Sequence, residues 1–93
     1  MANLRVIKKD VVYLVNEVIS DCWVYTFFNG DKNKEEVNKI VIDAIELGDN
    51  IFEQINHYPK DDAKTTKQHF AALNAKLLEG VDALFERLSA LSK

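Results

Sequence analysis

Apolar residues recur at helical spacing along most of the chain. They advance by four and three positions in turn between residues 37 and 58, and again between residues 70 and 91. The middle segment has this spacing at Val37, Val41, Ala44, Gly48, Ile51, Ile55 and Tyr58. The last segment has it at Phe70, Asn74, Leu77, Val81, Leu84, Leu88 and Leu91, with Leu73, Leu78 and Phe85 widening the stripe. Heptad spacing of this kind predicts two helices that pack along their length.

The first third of the chain carries a broader apolar sector. At about 100° per residue, its core candidates fall on one side of a helix. They are Leu4, Ile7, Val11, Leu14, Val15, Val18, Ile19, Cys22 and Tyr25. Residues 22–28 would also suit a strand, since they have high β-propensity and an Asn-Gly turn follows them. A hairpin needs a partner strand, however, and residues 31–36 resemble a helix start, so the pattern favours a helix.

Two short segments carry turn chemistry and divide the chain into three comparable lengths. In Asn29-Gly30-Asp31, Gly30 can end a helix in the left-handed conformation, and Asn33 can cap the next helix with Glu36 three residues later. In the second, Pro59 disfavours helix at the preceding residue and an aspartate follows to cap the third helix. Short links place sequential helices antiparallel. The sequence therefore predicts an all-α, up-down-up bundle of three long helices, over about 3–28, 33–57 and 62–91, in a single domain spanning 1–93.

Charge and composition limit the classes of partner. The 12 basic and 15 acidic residues of the 93-residue chain give a net charge of −3, which repels phosphate backbones, so no nucleic-acid partner is expected. Cys22 is the sole cysteine and cannot form an internal disulfide, which suits a reducing cytoplasm. Polar residues interrupt the first apolar run at Asn16 and Glu17, too early for a signal peptide, and no run approaches the length of a membrane span. We therefore expect a cytoplasmic protein without a membrane partner.

Some apolar residues of the first two helices project away from the predicted core. They are Val6, Tyr13, Val24, Phe27, Phe28 and Ile42. Scattered exposed apolar residues are ordinary, but several on one helix form a stripe that another helix could cover. The sequence thus predicts a protein that acts through protein contact, as a homodimer or with another helical protein.

Candidate metal-binding, ligand-binding and catalytic residues give a weaker functional signal than the apolar stripe. Glu46, Asp49, Glu53 and His57 share one face of the second helix, so Glu46, Glu53 and His57 offer an alternative metal site, although this face lies opposite the heptad seam. A cavity at Gly48 would be an alternative small-ligand site. No activated nucleophile or acid–base pair is evident, so no enzyme activity and no cofactor are expected.

Two further predictions concern the interior. Cys22 falls mid-core by helical phase, where a thiol behaves as a small hydrophobe. Asn16 and Asn74 fall near one layer, and as a buried polar pair they would fix the register of the helices.

Overall fold

The computed structural model describes the backbone of residues 4–57 and 63–91. Within these ranges the chain forms three helices, α1 (Leu4–Asn29), α2 (Lys34–Asn56) and α3 (Ala63–Leu91), each packed against the other two. They form a rod with principal extents of 50 × 19 × 17 Å. The predicted all-α three-helix bundle is confirmed, and residues 22–28 are helical. The predicted turn around Pro59 lies outside the described residues.

The core is one cluster of apolar side chains from all three helices. The cluster consists of Ile7, Val11, Val18, Cys22, Tyr25, Val37, Ile40, Ala44, Ile51, Ile55, Phe70, Leu73, Leu77, Val81, Leu84 and Leu88. Fully burying one large aliphatic side chain contributes about 1.5–3 kcal/mol, so this cluster supplies most of the driving force for folding. All of these residues except Ile40 were predicted, because heptad phase identifies the side of each helix that faces the others.

Two predictions about the interior are wrong. Leu78 was assigned to the core stripe of α3 but is 47% exposed, because it lies on the outer edge of that stripe. Asn16 is exposed and Asn74 is half-buried, so they do not form a buried polar pair. Val41 is half-buried and packs against the core, as its place in the heptad seam predicts.

The link between α1 and α2 uses two left-handed residues. Gly30 has φ = 60°, as predicted, and its amide donates to the Thr26 carbonyl at 2.8 Å. Asn33 has φ = 58° and makes no side-chain capping bond to α2, so its predicted capping role is wrong. Its Nδ2 instead donates to the Tyr25 hydroxyl at 2.8 Å. The link is therefore held against α1 by this hydrogen bond.

Two glycines allow close helix approach. A Cβ at Gly48 would lie 3.1 Å from Cγ2 of Val15, which brings α2 against α1. A Cβ at Gly80 would lie 2.8 Å from Cδ2 of Leu47, which brings α3 against α2. Because each glycine lacks a Cβ, the Val15 and Leu47 side chains pack directly against the glycine backbone.

Candidate interaction surface on the outer side of α1

The structure exposes every residue of the predicted interaction stripe. Phe27 is 83% exposed and Phe28 is 76% exposed, and Val6, Tyr13, Val24 and Ile42 are each more than 40% exposed. The structure also exposes four large apolar side chains that sequence reasoning did not select. They are Val12, Trp23, Ile45 and Leu78. Trp23 is the largest of these side chains and the only aromatic one among them, and it is 73% exposed.

Part of this surface borders a groove between α1 and α2, called here the α1–α2 groove. Near the interhelix link, the groove is a cleft of about 440 Å³ whose walls include Trp23, Phe27 and Val41. Further along it lies a hollow of about 240 Å³, called here the Gly48 hollow. The hollow is lined by Val11, Val12, Val15, Asn16, Ile19, Ile45, Gly48, Asp49 and Phe52. This groove is mainly apolar, and Asp49 is the only charged residue lining either part.

A second groove, called here the α1–α3 groove, lies on the other side of α1. It has a volume of about 500 Å³ and is lined by Asp21, Val24, Tyr25, Phe28, Asn29, Phe85, Leu88 and Ser89. At about 100° per residue, Val6, Tyr13, Val24 and Phe28 lie within roughly 60° of one another around α1. Phe27 lines the α1–α2 groove, and Ile42 lines neither groove. The predicted stripe is therefore divided between two sides of α1 and the outer side of α2.

One hydrogen-bonded contact closes the end of the α1–α3 groove. The Tyr25 hydroxyl donates to the Leu91 carbonyl at 3.2 Å and accepts from Asn33 Nδ2 at 2.8 Å. Tyr25 is itself buried. This arrangement satisfies a buried hydroxyl and joins α1, the interhelix link and the end of α3. The contact is structural, because it occupies the only polar group of that side chain.

Ion pairs stabilise other parts of the bundle. Arg87 Nη1 donates to Asp43 Oδ2 at 2.6 Å and links α3 to α2, and Lys39 pairs with Glu36 at 3.6 Å along α2. Both pairs are largely exposed, and such pairs each contribute about 0–1 kcal/mol. Neither involves a residue that lines the two grooves beside α1.

Cys22 is buried at the base of the α1–α2 groove, as its helical phase predicted. Burial raises the pKa of its thiol, and the neighbouring Asp21 carboxylate raises this pKa further. The thiol therefore stays protonated at neutral pH, whereas the reactive form of cysteine is the thiolate. Cys22 acts here as a small apolar side chain.

The alternative metal site is not supported. No group of three His, Cys, Asp or Glu side chains within the described ranges could hold a metal ion, and this includes Glu46, Glu53 and His57. Seven residues separate Glu46 from Glu53, which corresponds to about 10 Å along a helix. Glu53 and His57 instead line a polar cleft of about 300 Å³ with His69, whose Nε2 lies 3.1 Å from the Gln54 carbonyl oxygen.

The segment Val6–Asn29 of α1 is long and apolar enough to cross a membrane, judged by length and composition alone. The sequence analysis expected no membrane span because no uninterrupted apolar run is long enough. The mean hydropathy of Val6–Asn29 is nevertheless high, because the apolar residues outweigh the polar residues between them. A core helix of a soluble bundle and a signal sequence meet the same criterion. Only 22% of its most apolar window is buried within the bundle, whereas the core helix of a soluble protein is mostly buried. Cellular location therefore stays a prediction.

Helical phase contained a signal for Trp23 and Val12 that was not used. Both lie about 120–140° around α1 from the buried Val18, at least as far from the core-facing side as Val24 and Phe28. The position of Trp23 therefore predicts its exposure, although it does not predict the groove that α1 forms with α2.

Comparison of the chain with protein-family models, with curated proteins and with solved structures finds no match.

Proposed function

We propose that this chain is a non-enzymatic cytoplasmic protein that acts through protein contact and forms a homodimer through the outer apolar surface of α1. The observation that carries the proposal is the exposure of three aromatic rings within two turns of that helix, Trp23, Phe27 and Phe28. Aromatic side chains bury about 150–250 Å² each. At their observed exposures, these three leave roughly 350–580 Å² of apolar surface in water, comparable to the largest patch on a typical monomer.

The magnitude of this surface supports association. At about 25 cal/mol per Å², covering the roughly 300 Å² that Trp23 and Phe27 leave exposed contributes about 8 kcal/mol before the costs of association. Those costs are about 4–15 kcal/mol. These two rings therefore offset much of the cost, and the neighbouring aliphatic residues Val12 and Ile45 add to the gain.

Sedimentation velocity over a range of micromolar concentrations tests the proposal. We expect the wild-type chain to form a dimer and Phe27→Glu to weaken it at least tenfold, because a buried unpaired carboxylate is costly. Ala83→Glu is the matched control, since it places the same charge on an exposed position of α3 and should leave the dimer intact.

Two results would contradict the proposal. One is a wild-type chain that sediments as a monomer at every concentration. The other is flotation of the chain with vesicles of zwitterionic lipid, which would assign the same apolar surface to a membrane. The Phe27→Glu variant is measured in both the sedimentation and the flotation assay, because loss of either signal in this variant assigns that signal to the outer surface of α1.

A further inference from the structure

The helices α1 and α2 each carry a second heptad seam beside the one that faces the core. On α1 it runs through Val12, Asn16, Ile19, Trp23 and Thr26. On α2 it runs through Asn38, Val41, Ile45, Gly48 and Phe52. These residues line the α1–α2 groove, so the two additional seams converge on one surface. A helix needs a second seam when another helix packs on that side, and within the described ranges no helix of this chain covers the groove.

The same groove contains a projecting ring and a hollow. Trp23 projects at one end with 73% of its surface exposed. The Gly48 hollow lies towards the other end and has a volume of about 240 Å³. A cavity of about 150 Å³ accepts a benzene ring, so the volume of the hollow is sufficient for the larger indole ring. Asn16 and Asp49 line the hollow, and either side chain can accept a hydrogen bond from the indole N–H.

A two-fold axis can relate the Trp23 ring of one copy to the Gly48 hollow of a second copy. Ile19 lies four residues from both Val15, in the hollow, and Trp23, and this separation corresponds to about 6 Å in each direction. A second copy rotated about an axis through Ile19, perpendicular to the helices, would place each Trp23 in the hollow of the other copy. The contact is isologous, because the same surface of both copies supplies one ring and one hollow.

Two charged residues of α2, Lys34 and Asp49, favour this antiparallel arrangement. Lys34 lies seven residues before Val41, and Asp49 lies seven residues after Ile42. An axis that passes between Val41 and Ile42 therefore brings Lys34 of one copy to Asp49 of the other. A parallel copy would bring lysine to lysine and aspartate to aspartate, and like charges at an interface oppose binding.

The available area is also sufficient. The 26 residues of α1 span about 39 Å, and the bundle is 19 Å wide. This surface offers on the order of 700 Å² per copy, close to the ~800 Å² per partner found in specific protein interfaces.

We propose that a second copy of this chain occupies the α1–α2 groove, with Trp23 of each copy seated in the Gly48 hollow of the other. This inference rests on the self-association proposed above and assigns it to one surface and one symmetry. The resulting dimer has four helices at its centre, two from each copy, and α3 of each copy lies on the outside.

The fluorescence of Trp23, the only tryptophan in the chain, tests the proposed contact directly. Emission and acrylamide quenching are measured over a dilution series in parallel with sedimentation velocity. We expect a shift of emission to shorter wavelength and a severalfold fall in quenching as the dimer forms. A dimer whose Trp23 is quenched as strongly as in the monomer would overturn this inference and leave self-association standing. A chain that stays monomeric would overturn both.

Charge reversal tests the symmetry. Lys34→Glu and Asp49→Lys each place like charges together, and we expect each to weaken the dimer by roughly three- to tenfold. The double variant restores opposite charges and should recover most of the lost affinity, but not all of it, because Asp49 also lines the hollow that receives Trp23. Both positions are exposed, and circular-dichroism melts check that each variant folds. A double variant as weak as the two single variants combined would overturn the antiparallel arrangement.

Discussion

The α1–α2 groove and the α1–α3 groove lie on either side of the same helix, and each exposes an aromatic ring of α1. Trp23 and Phe27 border the first, and Phe28 borders the second. The difference lies in what accompanies the rings. The α1–α2 groove has a hollow lined by Gly48 and Asp49, and Lys34 lies one helical turn before Asn38 of its cleft, whereas the α1–α3 groove has Asp21 in its wall.

This comparison shows that exposed apolar area does not by itself select a partner. Both grooves would gain from being covered, since the hydrophobic contribution is non-directional. Specificity requires shape and charge that fit one partner better than others. On the α1–α2 groove these features are self-complementary, which is why we assign it to a second copy of the chain.

Truncation of one ring from each groove should show the largest difference between the two surfaces. We expect Trp23→Ala to weaken the dimer about 30-fold or more, because central tryptophans at interfaces contribute 2 kcal/mol or more. Phe28→Ala should change the dissociation constant by less than about threefold. Sedimentation equilibrium measures both. A larger effect for Phe28→Ala would move the interface to the α1–α3 groove.

The α1–α3 groove is expected to matter for folding rather than for association. Tyr25→Phe removes the hydroxyl that joins Leu91 and Asn33. We expect it to lower the free energy of unfolding by about 1–2 kcal/mol without altering the dimer. Tyr13→Phe is the matched control, since Tyr13 is exposed, and it should stay within about 0.5 kcal/mol. Urea titration followed by circular dichroism gives both values, and equal effects would remove the structural role of Tyr25.

The smallest expected effect concerns the thiol at the base of the α1–α2 groove. Because the pKa of Cys22 is raised in the folded chain, the unfolded chain loses this proton at a lower pH. Stability should be independent of this group below the ordinary thiol pKa and fall as the pH rises through it towards the raised value.

Measurement of unfolding free energies at about pH 7 and about pH 9.5, for wild type and Cys22→Ala, isolates this contribution. Between these two pH values, we expect the free energy of unfolding to fall more for wild type than for Cys22→Ala. If it falls equally in both proteins, the folded and unfolded thiols titrate alike.

The fold could be predicted because helical phase and turn chemistry agree. Val37, Ala44 and Ile51 are buried, as their heptad spacing requires, and Gly30 takes the left-handed conformation that its place after a helix indicates. The error at Asn33 has a physical cause. A residue before a helix can take several backbone conformations, and the Tyr25 hydroxyl, eight residues earlier in the chain, offered its side chain another hydrogen-bond partner.

The candidate site was only partly predictable. Exposure of Phe27 and Phe28 follows from their phase on α1, and the structure confirms it. The Gly48 hollow does not follow from phase, because its depth depends on how closely α2 approaches Val15. The exposure of Trp23 follows from phase as well, but its place in the wall of a groove depends on α2, which a projection of α1 alone does not represent.

The odd number of helices gives the rod a direction, because α1 begins at one end and α3 ends at the other. Two rods related by the proposed axis point in opposite directions, so the start of α1 in one copy lies beside the end of α3 in its partner. Dyes attached near residue 6 of one copy and near residue 90 of the other would then sit at the same end of the assembly. In a parallel pair they would be separated by most of the 50 Å length of the rod. Intermolecular energy transfer between the dyes would thus distinguish the two arrangements without perturbing either groove.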